Sequence, residues 1–330
     1  MTDGATPPDD GVPSNVADVH RIVIGDLFRA QQTILTSFQN TQAMSYSGAI
    51  YHYTSDVGLY QIVKSGRLWM SDYSTLNDPS EIKYGLDAGL TVLEDEWNKR
   101  GRPVLLTIFV NHFKKVAANG LPNFLRAFVL SMSAAPNELT QWRSYGDNAT
   151  GYCLGFDSGL LDQAFIQFSA PYRHGSGSFL VQYDPVLLRR LLNSFVVNAV
   201  NTILSLGSGS RMQVSAALSA ISVNLLFSMI YVSLHFKHEA YKSEQEYRYV
   251  IVTAPRQHVP GLDQRARRDQ LIDYLSLDWK VSYARSLQSV RVGPAGDFVD
   301  AQKFIDETML LHLPRGLTYV VDQSDIPFRA

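Results

Sequence analysis

Residues 243–254 read SEQEYRYVIVTA, and the fold class turns on how that stretch is taken. Its second half, VIVT at 250–253, is a β-branched apolar run of the kind that anchors a strand in a core. Successive side chains of a strand point to opposite faces, so Glu244, Glu246 and Arg248 are predicted to share one face. Two carboxylates and a guanidinium on a strand anchored in the core predict a concave site. The plainer alternative is a solvent-facing strand whose charges pair across the sheet.

Outward from this strand, similar short runs predict further strands at 49–54, 67–71, 128–133, 151–156, 179–183, 290–292 and 317–321. Apolar residues Val19, Ile22, Val23, Leu27, Ile34, Leu35 and Phe38 recur at three- and four-residue spacings and predict an amphipathic helix over 16–38. Other helices are predicted at 55–66, 79–99, 104–118, 185–206, 211–237 and 298–313. One more lies within NELTQWRSYG, with Asn137 as its N-cap. The helices at 79–99 and 104–118 are expected to cover a sheet. Strands interleaved with helices in this way predict a mixed α/β (α+β) fold. Residues 1–15 are expected to be a flexible tail, and 16–330 a single domain with a helical insertion at about 185–240.

A chain of 330 residues with 45% hydrophobic content can bury one large core or two ordinary ones. Its net charge of −2, from 29 basic and 31 acidic residues, supplies no global field to draw nucleic acid or an anionic membrane. Cys153 is the sole cysteine, so an internal disulfide and a Cys-based zinc site are excluded, and a reducing, cytoplasmic setting is expected. The opening MTDGATPPDDGVPSN has neither the basic start nor the apolar run of a secretory signal. Residues 214–234 are uncharged over about the length of a membrane span. However, Ser215, Ser219 and Ser222 lie along one helical stripe, with Asn224 and Ser228 elsewhere, so a core helix is expected and no membrane partner.

Three further motifs bear on chemistry. Asn77-Asp78-Pro79-Ser80-Glu81 reads as a helix start, with Asp78 as cap, Pro79 at the first position and Glu81 reaching back. His52 stands in IYHYTS at a strand end, with Tyr53 and Thr54 beside it. Ser131 and Ser133 of VLSMSA share a strand face. No GxSxG elbow, Walker loop or GxGxxG is present, and His235, His238 and Glu239 of HFKHE lack the spacing of a zinc-hydrolase helix. No metal is therefore expected. Arg265, Arg267 and Arg268, like Arg189 and Arg190, read as solvated helix faces able to meet phosphate.

Taken in order, IYHYTS, IVKSG, LWMSDYSTLNDPSE, LSMSA, WRSYGDNATGYCLGFD and YKSEQEYRYV resemble a bacterial family of proteins of unknown function, family 2971, over residues 51–250. Residues 186–237 look like extra material within that resemblance. A more distant likeness is to the ADP-ribosyltransferase superfamily. Its members open the site with a strand bearing His or Arg, continue with a strand bearing Tyr or Ser-x-Ser, and close it with a strand bearing the catalytic Glu, often as E-x-E. His52, then Ser131 and Ser133 (or Tyr152), then Glu244 and Glu246 follow that order. Tyr53 departs from it, standing where histidine-type members carry Gly.

The resemblance implies a split, twisted β core and an NAD-dependent activity, either transfer of ADP-ribose or NAD hydrolysis, in bacterial defence or toxin biology. NAD would be the co-substrate, and the acceptor a protein, nucleic acid or small molecule. By the same likeness Glu246 is the catalytic carboxylate and Glu244 orients the acceptor. His52, Tyr53, Ser131, Ser133, Tyr152 and Arg248 form the cofactor-binding set, His52 on a ribose and Tyr152 stacked on nicotinamide. The alternative from another class is a non-catalytic module binding a nucleotide or protein with the same face.

Overall fold

The computed structural model describes residues 16–43, 46–75, 80–118, 125–172, 175–206, 210–254, 258–267, 269–280 and 284–328. The expected tail and the Asn77-Asp78-Pro79 helix start lie outside the described residues. In chain order the elements are α1 (Val16–Ala43), β1 (Ala49–Thr54), α2 (Asp56–Ser65), β2 (Arg67–Asp72), α3 (Ser80–Lys99), α4 (Val104–Ala118), β3 (Arg126–Ser133), α5 (Leu139–Ser144), β4 (Tyr152–Asp157) and α6 (Ser158–Ser169). There follow β5 (Ser176–Leu180), α7 (Pro185–Ser205), α8 (Arg211–Ser233), β6 (Glu246–Thr253), β7 (Asp263–Arg267), β8 (Gln270–Asp278), β9 (Leu287–Val292), α9 (Phe298–His312) and β10 (Val320–Gln323). The fold is mixed α/β, with a twisted mixed sheet and several helices.

The chain groups into two compact units, one of Met1–Ser37, Gly85–Gly120 and Val186–Val232, the other of Phe38–Tyr84, Leu121–Pro185 and Ser233–Ala330. The first is helical. Leu188, Leu192, Phe195, Val196, Ala199, Val200 and Ile203 form the buried face of α7, and Leu106, Phe109, Val110 and Phe113 that of α4. Arg100 Nη2 donates to Asn201 Oδ1 at 3.0 Å, Arg189 pairs with Asp95 at 2.6 Å, and Ser228 Oγ donates to buried Gln31 Oε1 at 2.7 Å. Helices α3 and α4 thus group with α1, α7 and α8. Of the stretch expected as a helical insertion, Val186–Val232 groups with this unit, and Pro185 and the residues from Ser233 onward group with the other. By length and composition α8 is long and apolar enough to cross a membrane, yet 56% of its most apolar window is buried within the protein, and Ser222 is wholly buried.

The second unit holds the sheet, whose strands run β10-β9-β4-β1-β3-β2-β8-β7, with β6 on β3 and β5 on β6. Strand β3 organises it. One edge pairs with β6 over all eight residues, from Arg126↔Thr253 to Ser133↔Glu246. The other edge is shared: β1 holds one end through Tyr51↔Ser133, and β2 holds the other through Ser71↔Val129 and Asp72↔Phe128. Between them Leu130 to Met132 pair with neither strand, so the sheet is split there. Phe128, Leu130, Met132, Tyr247, Tyr249, Ile251, Leu154 and Phe156 point to the core face, over which α2, α6 and α9 pack. The alternate residues of β3, β6 and β1 face the other way.

Local chemistry sets the edges of the split. Ser55 Oγ accepts from the Gly58 amide and caps α2, and Gly66, left-handed at φ 69°, closes it with its amide on Ile62 O. Gly151 lies so close to β1 that a Cβ there would sit 2.3 Å from the Thr54 carbonyl oxygen, so a side chain is excluded. Three predicted features are corrected. The N-cap of α5 is Glu138, while Asn137 Oδ1 accepts from Trp142 Nε1 at 2.8 Å. The helix predicted at 211–237 ends at Ser233. Arg265 and Arg267 lie on strand β7, paired antiparallel with β8, rather than on a helix.

Candidate functional site

At the split, His52 of β1 reaches across to a hydrogen bond with the Ser131 backbone of β3. Burial lowers its imidazole pKa to about 4 against that hydrogen bond, so the ring is neutral at physiological pH. A cavity of about 180 Å³ opens here, lined by His52, Tyr53, Ser131, Ser133, Lys237, Glu244, Glu246 and Arg248. A second, of about 410 Å³, shares His52, Ser131 and Tyr145 with it and continues between α2 and β2 past Gln61, Arg67, Trp69 and Arg265. The two are lobes of one cleft.

In the first lobe, Glu246 and Arg248 share the face of β6 opposite the core, as their alternation requires. Arg248 donates through Nε to Glu246 Oε1 at 2.7 Å and through Nη2 to Oε2 at 2.8 Å, a bidentate pair, while Nη1 holds Leu234 O at 2.9 Å. Lys237 Nζ lies 3.3 Å from Glu246 Oε2 and also donates to Glu244. Burial alone would raise the Glu246 carboxyl. Arg248, by charge and hydrogen bonds, with Lys237 and Ser131 behind it, holds it down at about 2. Two carboxylates and two cations therefore form one buried, mutually compensated cluster.

Glu244 reaches this cluster by a different route from the one expected. It ends a short 3₁₀ turn, Glu239–Glu244, and Gln245 then turns the chain in the left-handed region at φ 42° before β6 begins. Glu244, Glu246 and Arg248 are thus not on one strand face, although all three line the same cavity. Ser133 fixes the turn: its Oγ donates to Glu244 O at 2.6 Å and accepts from the Ala135 amide at 3.0 Å.

Of the other residues singled out from sequence, Ser131 is exposed in both lobes. Tyr53 lines the first lobe, but its hydroxyl donates to Ala135 O at 2.9 Å and accepts from the Glu138 amide at 3.1 Å, and its ring meets Trp142 edge-on at 4.8 Å. It anchors the chain leading into α5. Arg248 is engaged by Glu246 and Leu234 rather than presented to solvent. Tyr152 is displaced altogether: it lies on the core face of β4, its ring 5.8 Å from Phe304, away from both lobes.

Sequence reasoning missed Lys237, Gln141, Tyr145 and Trp69, and it singled out Arg265 and Arg267 as able to meet phosphate but not as residues of this cleft. Lys237 was hidden at the end of an apolar run that reads as helix, and only the break after Ser233 turns it into the cluster. Trp69 and Tyr145 are large aromatics left exposed, at 42% and 44%, a signal that needs burial to be seen.

Residues 141–249 match the model of a family described as proteins of unknown function, DUF2971. The match begins in α5 and ends in β6. It takes in Gln141, Tyr145, Lys237, Glu244, Glu246 and Arg248, and leaves out β1 and β3, so it is narrower than the resemblance over 51–250. It also runs across 186–237, the stretch taken as extra material. No curated protein and no solved structure matches the chain.

Proposed function

We propose that the cleft binds NAD and breaks its nicotinamide glycosidic bond, transferring ADP-ribose to an acceptor or to water. The observation that carries this reading is that His52, Ser131 and Glu246, far apart in sequence, line one cavity where the sheet splits. Cleavage develops positive charge on the ribose, and a carboxylate beside that sugar stabilises it. Glu246 suits the role because Arg248 and Lys237 keep it ionised. Neutral His52 serves as a hydrogen-bonding partner for a ribose hydroxyl, and Glu244 stands beside Glu246 to orient the acceptor. Tyr145, exposed and common to both lobes, takes the stacking role in place of Tyr152.

The test is incubation of the protein with NAD, with and without cell extract, and direct detection of free nicotinamide. A second reading, a non-catalytic module that clamps a nucleotide or protein, is favoured by one observation: the Glu246 carboxylate is already compensated by two cations. The readings part on Glu246→Gln. An enzyme loses turnover and keeps most of its ligand affinity, whereas a module has no turnover to lose.

A further inference from the structure

The larger lobe carries a feature that the chemistry at Glu246 does not use. Arg265 enters it from β7, and the one side-chain hydrogen bond of its guanidinium among the described residues runs from Nη2 to Ser71 Oγ at 3.1 Å. Among the described residues its buried Nε has no hydrogen-bond partner and no carboxylate pairs with it. Burial with no acidic partner, together with the neighbouring Arg267, lowers the pKa of its guanidinium, which nevertheless stays charged. A half-buried cation with an unused donor is costly unless an anion completes it. Among the described residues the lobe has no acid of its own, and its second cation, Arg67, has only a loose 3.7 Å contact with Asp278.

The same guanidinium lies 5.0 Å from the centre of the Trp69 ring, which leans on Tyr274 at 4.8 Å and remains 42% exposed. An exposed indole braced by a tyrosine and an arginine is a rigid platform on which a flat ring can stack. We propose that this lobe is a nucleotide subsite in which Arg265 takes a phosphate and Trp69 stacks the base. The proposal shares with the reading above only the premise that the cleft takes a nucleotide. It does not require that anything be cleaved there.

The probes are AMP, adenosine and inorganic phosphate, titrated into the full chain by calorimetry and by tryptophan fluorescence. AMP is expected to bind at least about tenfold more tightly than adenosine or phosphate alone, the size of effect that a charge-assisted contact brings. It should also quench fluorescence in the wild type but not in Trp69→Phe. Arg265→Gln should erase the preference for AMP over adenosine, with AMP losing far more affinity than adenosine, which loses only the bracing of Trp69. Arg265→Lys, which keeps the charge and loses the planar fork, should fall between. Unchanged AMP affinity in Arg265→Gln overturns the subsite, as does adenosine binding as well as AMP, or no AMP binding at about 1 mM. If Arg265→Gln fails to fold by circular dichroism, Arg265→Lys and Trp69→Phe decide. Should AMP binding depend on Arg265 while no nicotinamide is ever released, the subsite stands and the transfer reading falls. Nicotinamide release with an unaltered KM in Arg265→Gln has the opposite meaning.

Discussion

Glu246 is 5% exposed and held between Arg248 and Lys237, so its charge serves stability as well as any chemistry. Glu246→Gln leaves two buried cations with one carboxylate fewer, and breaking a buried ion cluster costs about 3 kcal/mol or more. We therefore expect a lower melting temperature, and at least about a hundredfold loss of nicotinamide release when it is measured well below that melting point. Adding Lys237→Met to Glu246→Gln restores charge balance and should recover stability but not release. Recovery of both would show that the carboxylate is only structural. The cluster also sets an acid limit. The Glu246 pKa is depressed from 4.5 to about 2, so its contribution is complete above 4.5 and disappears as pH falls towards 2. His52 works over a higher window. Its pKa falls from 6.5 to about 4, the unfolded chain binds the extra proton between those values, and stability declines as pH drops from 6.5 towards 4. In His52→Gln that upper slope should flatten in denaturant titrations taken across the window. An unchanged slope would place the proton uptake on another group.

At the scale of elements, Gly151 couples the strand that carries His52 to the loop that carries Tyr145. Its amide donates to Gly146 O at 2.9 Å, its carbonyl accepts from Gly293 at 2.8 Å, and a Cβ would meet both Thr54 O and Gly146 O. Backbone cannot move aside as a flexible side chain can, so Gly151→Ala should destabilise the protein by about 1–3 kcal/mol, read by urea denaturation. A neutral result would mean that the loop and β1 are not in register. The legibility of the sequence follows the same division between local and non-local causes. Strand β1 and the helix start at Ser55 were readable because β-branched alternation and a serine cap are local signals. The hairpin of β7 and β8 was not, since DQRAR carries no apolar alternation and becomes a strand only through pairing with β8. Glu244 was placed on the wrong element for a related reason. Nothing in SEQEYR announces the left-handed turn at Gln245, which depends on Ser133 and Ala134 holding the 3₁₀ turn from across the sheet.

For the whole molecule, the question is whether the helical material at 186–232 is removable. A helical insertion in a single domain could be excised and leave the rest intact. The structure makes α7 and α8 members of a unit with α1, α3 and α4, so excision would uncover partners rather than free an appendage. Phe109 and Phe113 of α4 are fully buried, Met229 of α8 lies against Gly89 of α3, and Ser228 holds Gln31 of α1. Exposing several such side chains forfeits about 1.5–3 kcal/mol for each large one, which together match the whole stability of an ordinary domain. A chain with 186–232 replaced by a short glycine-serine linker should therefore be aggregated or bind a hydrophobic dye such as ANS strongly, even though every strand and every cleft residue named above is retained. Size-exclusion chromatography with light scattering, read alongside the dye, decides the matter. A monodisperse, dye-negative monomer would show that α1, α3 and α4 close their core without α7 and α8, and would return the segment to the status of an insertion.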